Sequence, residues 1–316
     1  MAFGGPLLAL LVIALVIGWD RHALGPSSAR WRVVPAVLLP LVIPLALPAD
    51  WAYARALVAV LAITMAGKGY ELWRGRVPDP RLLQTLPTFC FWLLVPPKAE
   101  LPKEPSQAQR IREEGRRRLV RALLKVPGVA TLVLVHLRWP GLHEDLWIEA
   151  FWGLWLTYLA VSAFVDLFSG AAMQSGIGVA ETFDAPPLAR SPRDFWGRRW
   201  NLVVHDLVFR HVFLPLGGLR RPLRSTIGVF VVSGLIHELF VLMALGHPSR
   251  YTGLMMAFFG LHGVAVMVQL WWDRGPGRRK HMARALAVVL HLAWMTLTAP
   301  LFFAPIGEIF AGAWPN

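Results

Sequence analysis

An all-α, polytopic membrane fold is what this 316-residue sequence predicts, and three observations predict it. Hydrophobic residues make up 56% of the chain, which carries 15 tryptophans and a mean hydropathy of +0.50. Eight stretches approach the roughly 20 apolar residues that a helix needs to cross a hydrocarbon layer about 30 Å thick. Lysine and arginine alternate between rich and poor loops. Within lipid only helices and closed barrels satisfy every backbone polar group, and stretches of this length select helices.

In chain order the expected spans are residues 7–19, 33–47, 51–67, 119–136, 146–168, 226–245, 251–272 and 281–303. The first three are short and marked by proline. Two further apolar pieces, 82–96 and 202–218, are shorter still and read as re-entrant or interfacial segments. The opening MAFGGPLLALLVIALVIGWD lacks a basic leader and a small-residue cleavage site, so it reads as a retained span and not a removed signal peptide.

Loops 20–32, 68–118, 169–225 and 273–284 hold 27 of the 32 lysines and arginines. By the positive-inside rule these loops are cytoplasmic and both termini face away. Arg55, Arg121 and Lys125 fall inside expected spans, where they are expected to snorkel to the interface. Topology and contact with anionic membrane lipids account for the net charge of +13, leaving no soluble domain to bind nucleic acid. Cys90 is alone and can form no internal disulfide. With no repeat or linker, residues 1–316 read as one multi-pass membrane domain, in the cytoplasmic membrane of a prokaryote or the endoplasmic reticulum of a eukaryote. The polar interval 98–118 reads as a cytoplasmic loop with basic anchors, with a share in binding an anionic substrate as its alternative.

RSPRDFWGRRWN, residues 190–201, sets three aromatics and four arginines in twelve positions. Ser191, Pro192 and Asp194 form a helix start: hydroxyl cap, proline in the first turn, acid three residues on. A helix running from there through Asn201 would put Phe195 with Arg199, Asp194 with Arg198, and Trp196 with Trp200 on shared faces. Such a wedge suits an interfacial anchor, with tryptophans at headgroup depth and arginines on phosphates. Asn201 strains that reading, because its amide enters the apolar run that follows and needs a partner there.

The span around VFVVSGLIHELFVLMAL, residues 229–245, carries His237 and Glu238 near its middle. Ionised groups at a helix centre cost about 2.5–3.5 kcal/mol on insertion scales, so such residues usually face protein or a water-filled cavity and act there. Burial favours a neutral imidazole, the state a general base requires. Glu238, about 100° around the helix, orients a neighbour or stays protonated. Ser233 shares the His237 face. A histidine pinning two helices is the plainer reading. HELFV resembles the zinc-protease HExxH, but Val241 replaces the second histidine, so no metal is expected. His262 and His291 read as packing or helix-pairing residues, and His205, four positions past Asn201, as a secondary candidate. GxSxG, GxGxxG and GxxxxGK[ST] are absent.

DFWGRRWN, followed 36 positions after Asn201 by the histidine of SGLIHELF, closely resembles the wax synthase branch of the membrane-bound O-acyltransferases. The resemblance covers about residues 190–245. It implies a multi-helix fold with an internal tunnel, acyl-CoA entering from the cytoplasmic side and a hydrophobic alcohol arriving by another path. By the same resemblance His237 is the catalytic base and Asn201 its partner; Glu238, Ser233 and Asp194 are read from their positions as supporting residues. Asn201 would donate to the thioester region or position the acyl chain. Arg198 and Arg199 suit CoA phosphates, and Trp196 and Trp200 suit the entry. Acyl-CoA is then a co-substrate and no cofactor is needed. The expected product is a wax-ester-like neutral lipid. The alternatives are short-chain or acetyl transfer to a hydroxylated metabolite or sterol, and a non-catalytic acyl-CoA-binding or proton-coupled transport protein.

Overall fold

The computed structural model describes residues 37–74, 77, 79–94, 98–139, 141, 144–275 and 283–311. They form helices α1 (Ala52–Trp73), α2 (Leu86–Leu94), α3 (Pro105–Arg138), α4 (Leu146–Gln174), the single turn α5 (Pro192–Asp194), α6 (Leu202–Val208), α7 (Pro222–Leu245), α8 (Leu254–Arg274) and α9 (Arg284–Ala311). Two-residue strands β1 (Ala99–Glu100) and β2 (Gly178–Val179) pair antiparallel. Helices α1, α3, α4, α7, α8 and α9 are each long and apolar enough to cross a bilayer. The chain is an all-α, multi-pass integral membrane protein.

The expected span 7–19 lies outside the described residues. The described part of 33–47 is not a continuous helix: Leu39–Val42 and Pro44–Ala46 are short 3₁₀ turns. Pro40 and Pro44 each lack the N–H that an α-helical ladder needs. The piece 82–96 becomes a 3₁₀ turn, Pro80–Leu83, followed by the nine-residue α2, both too short to span. From Pro105 onward the charged interval 98–118 joins the span after it as the single helix α3, about 50 Å long at 1.5 Å per residue.

The described residues divide into two compact units, each drawn from separate stretches of sequence. One unit comprises residues within Met1–Lys98, Leu235–Met255 and Pro305–Asn316. Here Arg55, 4% exposed, donates from Nε to the Met243 carbonyl at 3.1 Å, near the C-terminus of α7. That end carries the negative pole of the helix and carbonyls without intrahelical partners, so it receives a guanidinium well. Arg55 therefore does not snorkel. Glu308 accepts from the Ser249 hydroxyl and fastens the segment after α7. Lys68 and Glu71 pair at 3.8 Å, with Lys68 over the Trp92 ring.

The second unit comprises Ala99–Gly234 and Met256–Ala304. Its frame is the hairpin of α3 and α4. Asp145 starts α4 by accepting the N–H groups of Trp147 and Ile148 at 2.8 and 3.0 Å. The helices approach closely where Gly115 faces Gly170: a Cβ on Gly115 would lie 2.7 Å from Met173 Cβ and 3.0 Å from the Gly170 oxygen. Small residues at such a crossing bring backbones together in lipid. Arg121 and Lys125 do not snorkel either. Arg121 Nη2 meets Asp166 Oδ1 at 2.8 Å and Glu181 Oε1 at 3.0 Å, and Lys125 Nζ meets Asp166 Oδ2 at 2.6 Å. Arg118 adds a contact to Glu181 at 3.3 Å. Charged partners, Asp166 in the hairpin and Glu181 in the segment after it, replace the interface as their destination.

Candidate active site

The motif segment starts as its residue types require. Ser191 Oγ accepts the Asp194 N–H at 3.1 Å, with Pro192 in the first turn. Asp194 reaches back and accepts the Arg190 N–H at 3.1 Å, a capping box displaced by one residue. The pitch then changes. Phe195–Arg199 is a π turn, closed by the Trp200 N–H on the Phe195 carbonyl at 2.9 Å. An i+5 turn places residues five apart over one another. Asp194 accordingly pairs with Arg199 at 2.9 Å, and the Phe195 and Trp200 rings stack at 5.4 Å with a 14° interplanar angle. The i+4 faces expected from the sequence are replaced by these i+5 pairs.

The expected run of helix through Asn201 also fails. Trp200 is extended, and Asn201 sits in the left-handed region at φ 44°, ψ 58°. Asparagine is among the few non-glycine residues that adopt that conformation readily. From there its Oδ1 accepts the Val204 N–H at 3.3 Å and caps α6. A backbone donor fixes the amide orientation: oxygen turned back onto α6, NH₂ turned away.

Arg198 and Arg199, adjacent in the motif, part company. Arg199 Nε bonds Asp194, while Nη1 bonds the carbonyls of Asp184 at 3.1 Å and Ala185 at 3.4 Å. Arg199 thus ties the turn to the preceding loop, and Arg198 is the exposed guanidinium. Burial works to raise the Asp194 carboxyl, but the Arg199 and Arg190 hydrogen bonds and the Arg199 and Arg198 charges hold it below the usual carboxylate range.

Trp196 points into an aromatic cluster with ring contacts to Phe230, Phe258, Phe259 and His262 between 5.5 and 6.3 Å. Its Nε1–H donates to His262 Nδ1 at 3.0 Å, and Trp294 Nε1–H donates to the same nitrogen at 3.3 Å. Indole nitrogens only donate, so Nδ1 holds the lone pair and the proton is on Nε2. Nε2–H then donates to Thr298 Oγ1 at 3.0 Å, whose own hydroxyl turns to the Trp294 carbonyl at 3.0 Å. His262 is fully buried, with a fixed tautomer, and it joins α8 to α9.

His291 stands in contrast. It is 3% exposed, its ring lies 5.3 Å from that of Phe195, and neither Nδ1 nor Nε2 has a hydrogen-bond partner. Each such group left unpaired in an apolar interior costs about 1–3 kcal/mol. Met295, Phe195 and Ala189 form the buried cluster there, bordered by Leu154, Trp196 and Trp200.

The segment therefore brings Asp194, Trp196, Arg199 and Trp200 together with His262 and His291. His237 and Glu238 belong to the other unit, as part of α7. His237 is partly buried. Glu238 Oε1 accepts the Gly253 N–H at 2.8 Å and holds the approach to α8. Ser233 is partly buried one turn before His237. His205 stacks on Phe209 at 5.9 Å, and burial pushes its imidazole below the ordinary value against a smaller opposing pull from Asp206. The Trp196–His262 bond links residues 66 positions apart, so no local spacing announces it.

Residues 136–274 match the family model of the membrane-bound O-acyltransferases. The chain is 34% identical over 139 residues to an acyl-CoA–sterol O-acyltransferase of Arabidopsis thaliana, covering 42% of this chain and 39% of that one. It is 32% identical over 140 residues to a long-chain-alcohol O-fatty-acyltransferase of Simmondsia chinensis, covering 41% and 39%. A probable long-chain-alcohol O-fatty-acyltransferase of Arabidopsis thaliana matches at 33% over 136 residues, covering 38% and 39%. The chain thus spans about two fifths of the length of these relatives. The matched region holds the π turn, the Trp196–His262 bond and the His237–Glu238 pair, and over it the chain is similar to the membrane-bound O-acyltransferases and to relatives named as long-chain-alcohol O-fatty-acyltransferases.

Proposed function

We propose that the protein transfers an acyl group from acyl-CoA to the hydroxyl of a hydrophobic alcohol, forming a wax-ester-like neutral lipid. The observation that carries this reading is the match of residues 136–274, which contain the capped π turn and His237, to the membrane-bound O-acyltransferase family model, beside the similarity to relatives named for acyl transfer to long-chain alcohols. His237 accepts the hydroxyl proton as the alcohol oxygen attacks the thioester carbonyl. The new C–O bond forms, the C–S bond breaks, and the proton passes to the departing thiolate. Asn201, its NH₂ turned away from α6, supplies a donor for the carbonyl oxygen. Arg198, exposed on the turn, takes a CoA phosphate, while Arg199 and Asp194 hold the turn in shape. Burial of the acyl chain among apolar side chains would stabilise it by about 0.8 kcal/mol per methylene.

The similarity to a sterol acyltransferase favours a sterol as the alternative acceptor. Purified protein supplied with acyl-CoAs of graded length and a pool of fatty alcohols and sterols, read by thiol release and ester mass, decides both questions. Turnover with a long-chain pair is expected, and His237→Ala should lower it by about 10²–10⁴-fold with acyl-CoA binding retained. No turnover by any pair, from a protein that still binds acyl-CoA, ends the reading; near-normal turnover by His237→Ala moves the base elsewhere.

A further inference from the structure

We infer that His291 is a hydroxyl-binding subsite that holds the alcohol acceptor, an inference that rests on the acyl-transfer reading for the identity of its ligand. Two buried histidines lie beside the motif turn, and only one is consumed by the fold. His262 has a partner for each nitrogen and one permitted tautomer. His291 has neither, although it is 3% exposed. Buried polar side chains without a partner are uncommon in folded proteins, and a ligand or an ordered water that supplies the missing bond is one explanation for them.

The surroundings choose among ligands. His291, Trp294 and Met295 lie three and four positions apart on α9 and so share a face. Trp294 joins the His262 bonds, whereas Met295, with Phe195 and Ala189, forms an apolar wall. A phosphate has no place against that wall, because burying its charge there would go uncompensated. A thioester carbonyl only accepts, so it can meet His291 only at whichever nitrogen carries hydrogen. A hydroxyl donates and accepts, so it can meet either nitrogen in either tautomer, and its hydrocarbon chain matches the wall. The ligand class is therefore a long-chain or polycyclic alcohol, with a buried water as the competing source of the same hydroxyl chemistry.

The test is equilibrium binding of tritiated 1-dodecanol to the purified full chain without acyl-CoA, so that no turnover is needed, with dodecane as competitor. Wild type should bind dodecanol more tightly than dodecane, and His291→Leu should lose about tenfold in dodecanol affinity with dodecane and acyl-CoA binding unchanged. His291→Gln, which keeps a donor and an acceptor, should recover most of the loss. The thermal midpoint of ligand-free His291→Leu should equal or exceed that of wild type, because an apolar group replaces an unpaired polar one. Equal dodecanol affinity in wild type and His291→Leu overturns the inference and assigns the position to a buried water. A lowered midpoint with parallel loss of dodecanol and dodecane also overturns it and assigns a packing role. If wild type forms no ester yet loses its alcohol preference on His291→Leu, the acyl-transfer reading falls and the subsite stands.

Discussion

The α3–α4 hairpin and the aromatic cluster around Trp196 both sink polar side chains into apolar helices, and they meet the cost in different ways. In the hairpin each oxygen of Asp166 holds its own cation, Arg121 on one and Lys125 on the other. In the aromatic cluster, neutral groups are matched donor to acceptor around His262, and the neighbouring His291 is left with two unmatched nitrogens. The difference separates polar groups that hold the helices together from one available to a ligand. A closed network is a fastening, and removing a member hurts because the remaining charge stays buried.

The largest expected effect follows from that asymmetry. Asp166→Asn leaves Lys125 without its anion in the hairpin and should cost about 3 kcal/mol, the lower end for breaking a buried pair. The lower end applies because Arg121 is 42% exposed and keeps Glu181. Thermal unfolding of the detergent-extracted protein measures it, and a loss well under 1 kcal/mol would make the hairpin network a surface ornament. Next in size, Thr298→Val takes the acceptor from His262 Nε2–H and should cost about 1–3 kcal/mol with the ring still in place. An unchanged midpoint would mean that His262 is no more fastened than His291, and the contrast between them would disappear.

The smallest effect is silent at neutral pH. The folded Asp194 carboxyl titrates below its unfolded value, so the unfolded chain binds the proton first as pH falls. The stability it contributes is complete above the ordinary carboxylate range and is lost as pH falls through the depressed folded value. Near-ultraviolet circular dichroism of the stacked Phe195 and Trp200 should follow that loss between about pH 4 and lower values. In Asp194→Asn the acid-dependent part should vanish; its persistence would place the titrating group elsewhere.

How much of this was legible in the sequence depends on the range over which each signal acts. Hydropathy located the long helices, because burial in lipid acts on whole segments. Ser191, Pro192 and Asp194 located the start of the motif helix, because a cap is made within four residues. The π turn was not legible: Phe195–Trp200 reads equally well at α pitch, and the i+5 bond is favoured by ring stacking and by the Arg199 contacts to Asp184 and Ala185. Arg55, Arg121 and Lys125 were sent to the interface because their partners lie 41 or more positions away in sequence. His262 and His291 looked alike for the same reason: what distinguishes them is on other helices.

The π turn also makes the motif a ruler. Its geometry depends on the number of residues between Asp194 and Asn201 more than on the bulk of any one of them. Gly197 faces open space, so a methyl group added there meets nothing within 4 Å. Deleting the same residue would remove the extra step, and whatever follows would rotate by about 100° and advance by about 1.5 Å. Asn201 would then leave the left-handed position from which it caps α6, and Trp200 would leave Phe195. Substitution at Gly197 changes a surface; deletion changes the phase of everything after it.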